Sequence, residues 1–218
     1  NILTNTGFVQ GSYTGGTGND TVTNAANSTI NGAINLGDGA NSVTNAGTIG
    51  TSGVAVDIQG GAGADTVTNS GTIEGAVSLG TGLFALSDTG TNVLNNSGSI
   101  GRDSTNARSY LGGRGIDTIT NSGALEGGII AGSIADLATG NNTLTNTATG
   151  TIHADINGHA YVGGSAGDTV TNAGTMTGST TIDLGNGTNS VSNSGTIIAT
   201  TGFAIVGVLL PTLVHVSL

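Results

Sequence analysis

The chain has 218 residues, 41 of them Gly and 1 Pro, with 7% charged and 3% aromatic residues and a formal net charge of −10. Its 3 basic residues are too few to displace counterions from nucleic acid or to hold an anionic membrane surface, and without Cys there is neither a disulfide nor a thiolate metal site. The single Pro and the missing Gly-x-y triplet exclude collagen, and β-branched residues that recur in register argue against disorder.

From the first residue onward one phrase returns: an Asn or Asp anchor, usually Thr or Ser, an apolar residue, Thr or a relative of it, then Asn. The anchors are Asn1, Asp20, Asn41, Asp65, Asn92, Asp117, Asn142, Asp168 and Asn189, spaced 19 to 27 residues apart. Four residues after each stands an Asn: Asn5, Asn24, Asn45, Asn69, Asn96, Asn121, Asn146, Asn172 and Asn193. A period of this size marks a stack of coils, each burying its apolar row against its neighbours.

Each unit reads as three short elements. The first alternates polar, apolar, polar, as in Thr21-Val22-Thr23, Thr66-Val67-Thr68, Thr118-Ile119-Thr120 and Thr169-Val170-Thr171. That period belongs to a strand with one buried face, so the apolar residue points inward and the Thr pair outward. The second is a Gly corner whose Ile returns to the core, as at Gly47-Thr48-Ile49, Gly71-Thr72-Ile73 and Gly195-Thr196-Ile197. The third is another apolar alternation, seen in Ala33-Ile34-Asn35-Leu36, Val54-Ala55-Val56-Asp57-Ile58, Ala76-Val77-Ser78-Leu79 and Thr181-Ile182-Asp183-Leu184. The expected fold is all-β: a single parallel β-helix (β-solenoid) of about nine coils over residues 1–200, roughly triangular in section and about 40 Å long at ~4.8 Å per coil. Longer units, such as the one holding Leu83 to Thr91, place their extra residues in a corner loop.

The nine-fold Asn column predicts a ladder in which each side-chain amide donates to the side-chain carbonyl one coil on; the plainer reading is a turn former that tolerates left-handed backbone. The anchor column alternates Asn and Asp throughout. Stacked carboxylates would repel, so the alternation reads as charge separation, with each Asn lending its amide to the neighbouring carboxylate.

The stretch Gly61-Ala62-Gly63-Ala64-Asp65-Thr66-Val67-Thr68-Asn69-Ser70-Gly71-Thr72-Ile73-Glu74-Gly75 resembles the passenger repeats of bacterial autotransporters and related β-strand-repeat surface proteins, and the likeness extends over nearly residues 1 to 200. It implies a bacterial, secreted or surface-exposed β-helix without fixing a function. Asn1 rather than Met opens the chain, with no basic or apolar leader ahead of the repeat. The expectation is a processed product or an excised piece of a longer passenger.

Locally, Gly15-Gly16-Thr17-Gly18-Asn19-Asp20-Thr21-Val22 resembles the calcium-binding nonapeptide of RTX proteins, with further copies ending at Val67, Ile119 and Val170. That resemblance makes Asp20, Asp65, Asp117 and Asp168 calcium candidates; the alternative is an ordinary Gly-rich corner, since Asn stands at the matching place in the intervening coils. Otherwise neither cofactor nor metal is expected. Stacked Thr-x-Thr pairs resemble the face of ice-binding solenoids, although Val93 and Asn95 interrupt the rank. For catalysis, His153, His159 and His215 are scattered, no nucleophile elbow or phosphate loop appears, and Asp155 and Asp183 fall in roughly comparable strands. The basic residues Arg102, Arg108 and Arg114 lie in one unit, either as a patch facing an acidic neighbour or as a charged loop.

Residues 201–218 abandon the repeat for an apolar run containing Phe203, Ile205, Val206, Val208, Leu209, Leu210, Leu213, Val214 and Val216. It is short for a membrane helix and carries Pro211 and His215. It reads as strand buried on both faces, folding back as a cap or joining the next molecule. With a chain that starts directly on an anchor, the second option gives a head-to-tail contact that does not close, hence a filament. The functional expectation is a non-enzymatic extracellular structural protein whose partner is itself; an adhesin segment for glycan or host surface and an ice binder are the alternatives.

Overall fold

The computed structural model describes residues 1–51, 53–80, 90–101, 108–132, 140–207 and 215–217, the last three by backbone alone. The described residues form a parallel β-solenoid of three sheets, each strand paired with its counterpart one coil away. Sheet one has ten strands, running from Ile2–Asn5 through Thr21–Asn24, Ser42–Asn45 and their successors to His215–Ser217. Sheets two and three have nine each, from Phe8–Gln10 to Thr196–Ala199 and from Tyr13–Gly16 to Ile205–Val206.

The alternation in sequence becomes in and out in space. In sheet one the flanking Thr residues face solvent while Val22, Val43, Val67, Leu94, Ile119, Leu144, Val170 and Val191 stack inward in register. In sheet two Ile30, Ile49, Ile73, Ile100, Leu125, Ile152 and Met176 form a second inner file. All these residues are fully buried, and burial of each such side chain is worth about 1.5–3 kcal/mol. The coil-to-coil register follows, because a slip of one residue would turn every buried side chain to water.

Sheet three departs from simple alternation. It is bulged at Ala76/Val77 and at Arg108/Tyr110, and a bulge shifts which side chains face inward. Asp57, which alternation places outside, is therefore buried, its carboxylate accepting the Gly75 N–H at 2.5 Å. Ser109 sits in the equivalent bulge, accepting the Gly127 N–H at 2.9 Å and donating to the Ile100 carbonyl at 3.0 Å.

Thr91, expected in a loop, starts the strand Thr91–Asn96, while 81–89 lies outside the described residues. The tail continues the sheets. Ile205–Val206 pairs with Ile182 and Asp183, and Val216 falls opposite Val191. Phe203 is exposed, and Ile205 and Val206 are half-buried rather than buried on both faces. Val208, Leu209, Leu210, Leu213 and Val214 lie outside the described residues. Among the described residues no helix is long and apolar enough to cross a membrane.

Candidate functional site

Where the chain leaves sheet one, the Asn column forms an unbroken ladder. Asn5 Nδ2 donates to Asn24 Oδ1 at 2.8 Å, and the same bond repeats through Asn45, Asn69, Asn96, Asn121, Asn146, Asn172 and Asn193 at 2.7–2.9 Å. The second amide hydrogen serves the corner: Asn121 Nδ2 also contacts the carbonyls of Gly123 at 3.1 Å and Thr151 at 3.2 Å. Each rung must be a donor on one side and an acceptor on the other. Among short side chains only Asn combines both in one rigid planar group.

The anchor column runs on a different bond from the one expected. The backbone N–H of one anchor donates to the side-chain oxygen of the next: Asp20 to Asn41 at 2.8 Å, Asn41 to Asp65 at 3.1 Å, Asp65 to Asn92 at 3.1 Å, Asp117 to Asn142 at 2.9 Å, Asn142 to Asp168 at 3.0 Å and Asp168 to Asn189 at 2.7 Å. An Asn amide reaches the neighbouring carboxylate from Asn1 and from Asn92, at 2.8 and 3.1 Å. Asn and Asp serve equally as the acceptor, so the alternation has a further cause.

That cause lies in the peptide four residues back. At Asp20 and Asp168 the second carboxylate oxygen accepts an N–H from Gly16 and Gly164, each at 3.2 Å. At Asn41 the backbone is turned over. Gly37 and Gly39 adopt φ of 74° and 118°, and Asn41 Nδ2 donates to their carbonyls at 3.0 and 3.3 Å. Asn189 repeats this, donating to the Asn186 carbonyl at 3.1 Å over Gly185 and Gly187, which have φ of 63° and 96°. An N–H demands an oxygen and a C=O demands an amide. At these four corners the local geometry thus selects Asp or Asn, whereas Asn92 Nδ2 reaches Asp117 and Asn142 Nδ2 has no partner among the described residues.

The Asp corners carry two further marks. Gly15, Gly60, Gly112 and Gly163 each press on the carboxylate five residues on, and a methyl group there would overlap it. The chain's 3 tyrosines all lie seven residues before an anchor Asp. Tyr13 Oη donates to Asp20 Oδ1 at 3.1 Å and Tyr110 Oη to Asp117 Oδ1 at 2.9 Å. Tyr161 precedes Asp168 in the same way, but its fully buried hydroxyl has no hydrogen-bond partner among the described residues. Burial pushes the Tyr161 phenol well above its ordinary range, and the Asp168 and Asp117 charges add to this. Burial also raises the Asp168 carboxyl, against N–H bonds from Asn142 and Gly164 that pull it down. Tyr110→Phe should cost about 1–3 kcal/mol by withdrawing a donor from a buried carboxylate. Tyr161→Phe should cost nearly nothing, and urea denaturation of the two variants separates them.

These bonds bear on the calcium candidates. Asp20, Asp65, Asp117 and Asp168 are all buried, and an Asn rung separates each from the next. The oxygens seen at Asp20 and Asp168 meet N–H and O–H donors, where calcium requires converging oxygens. Among the described residues no three His, Cys, Asp or Glu side chains converge on a point that could hold a metal. At Asp20 and Asp168 the carboxylate ties its own corner to the neighbouring coil.

The remaining polar residues are local. Asp155 lies in a corner and not in a strand comparable with Asp183; its Oδ1 accepts the Asn157 and His159 N–H groups at 2.9 and 3.0 Å. Arg108 turns toward this carboxylate of its own chain, with Nε 3.9 Å from Oδ2. His153 Nδ1 meets Glu126 Oε2 at 2.9 Å on the surface, His215 is placed by its backbone, and Arg102 lies outside the described residues. A shallow open groove of about 400 Å³ beside Asn27, Thr48 and Thr72 holds no titratable side chain. No family model, no curated protein and no solved structure matches this chain.

Proposed function

We propose that the chain is a non-enzymatic structural segment of a bacterial extracellular or cell-surface protein, a β-solenoid rod that stacks head to tail. The observation that carries this reading is where the buried polar groups are spent: both ladders run from coil to coil and neither points into a cleft. The Asn ladder is also polar. Each rung offers an amide toward the next coil and an oxygen toward the previous one, so its two ends are complementary. Such an end continues equally well into more coils of one polypeptide or into a second copy, and a heterologous contact that does not close makes a fibre. Pairing of Val216 on Val191 supports a tail that extends the sheet-one edge. The likeness of the repeats to autotransporter passengers supports the extracellular setting.

Electron microscopy of the purified chain beside a version ending at Thr200, in chelator and at matched concentration, tests this. Filaments from the full chain and short rods from the truncated one are expected. Discrete rods from both would sink end-to-end stacking and move the weight to an adhesin segment, which a carbohydrate array would then examine.

A further inference from the structure

The outward face of sheet one is a second regular feature, independent of how the rods meet at their ends. Its two central files are in register, so that Thr118 stacks with Thr143 and Thr169, and Thr120 with Thr145 and Thr171. The same two positions from the Thr21–Asn24 strand to the Ser190–Asn193 strand hold Thr or Ser, apart from Val93 and Asn95, and none is charged. On a chain of formal net charge −10, that leaves this face uncharged over eight consecutive strands. Each of these strands ends on the Asn ladder, which fixes the rungs before any partner arrives.

Three occupants suit an uncharged, repeating, hydroxyl-bearing plane, and its area and composition separate them. A second copy would bury too little. Eight rungs at ~4.8 Å by roughly 10 Å give about 400 Å² per partner, half of what a stable interface takes. A sugar chain calls for aromatic rings to stack on, and the tyrosines of this chain lie in sheet three. Ice needs neither rings nor a large dry core. In tetrahedral water with hydrogen bonds of ~2.75 Å, second-neighbour oxygens lie about 4.5 Å apart, close to the ~4.8 Å rise between rungs. Thr supplies a methyl and a hydroxyl from a side chain stiff at χ1, so the array is ordered before water settles on it. We infer that the sheet-one Thr face binds ice.

The test follows the growth and recrystallisation of single ice crystals in micromolar solutions of the full chain. Alongside it go the double substitution Thr120→Lys/Thr145→Lys and a control, Thr72→Lys, on the outward side of sheet two. Circular dichroism confirms that each is folded. The parent and the control should shape ice and halt recrystallisation, and the double variant should lose both. A folded parent that leaves ice growth unchanged would overturn the inference. So would equal loss in the control, or a face-to-face dimer that the double variant dissociates.

Discussion

Asn121→Asp, the exchange of one amide for one oxygen, should cost about 3–5 kcal/mol, the scale of a buried charge left without its partner. Asn121 Nδ2 faces three acceptors: Asn146 Oδ1 at 2.9 Å and the carbonyls of Gly123 and Thr151 at 3.1 and 3.2 Å. An oxygen in its place turns three bonds into three repulsions inside a site with no exposure. Thr120→Asp adds the same charge one residue away on the outward face, where changes stay within about 0.5 kcal/mol. Urea denaturation of the pair separates ladder from charge, and equal shifts would count against the ladder. A pH series adds a signature. The new carboxyl, buried among acceptors, takes its proton at higher pH in the folded state than in the unfolded chain. The loss is therefore fullest at neutral pH and is relieved as pH falls through the folded value, with relief complete below about 3.9. Because each coil touches only its neighbours, hydrogen exchange should rise first around residues 116–151.

The ladder was legible in the sequence because an Asn recurs at a fixed offset from every anchor, a regularity that a turn former alone does not require. The same holds for the three-sheet section, which follows from where the apolar period breaks at Gly47, Gly71 and Gly195. The anchor column was only half legible. Its donors are backbone N–H groups, which no side-chain pattern displays, and its alternation depends on whether Gly37 or Gly16 turns its peptide toward the anchor. A visible clue was available: Tyr13, Tyr110 and Tyr161 each precede an anchor Asp by seven residues. Alternation of polar and apolar residues gives these positions no polar role. It also sends Asp57 outward, since a bulge opposite Ala76/Val77 leaves no trace in alternation. Local pattern specifies which face is buried; it does not specify where the backbone inserts one residue and reverses the count.

The glycines at the Asp corners make the second strong prediction, because Gly163 and Gly16 should respond oppositely to the same methyl group. A Cβ on Gly163 would drive into the Asp168 carboxylate, with the Leu184 carbonyl at 2.7 Å blocking retreat. The carboxylate cannot swing away without losing the Asn142 and Gly164 N–H bonds. Gly163→Ala should therefore cost about 3–5 kcal/mol, as an overpacked site that also orphans a buried charge. Gly16 has open space where its Cβ would go and no positive φ. Gly16→Ala should stabilise by up to about 1 kcal/mol through the unfolded chain. Adding Asp168→Ala to Gly163→Ala removes the collision with the carboxylate and leaves only that with the Leu184 carbonyl, so the double variant should cost less than the two single losses combined, and thermal melts of the cycle measure the difference. Additive losses would mean that the Leu184 carbonyl, not the Asp168 carboxylate, is what excludes a side chain at Gly163. The expected coupling would mean that the Gly exists to admit the Asp. The Asn corners agree with the second outcome: at the same distance before Asn41 and Asn189 stand Leu36 and Leu184, both fully buried and both with the side chain that Gly163 must lack.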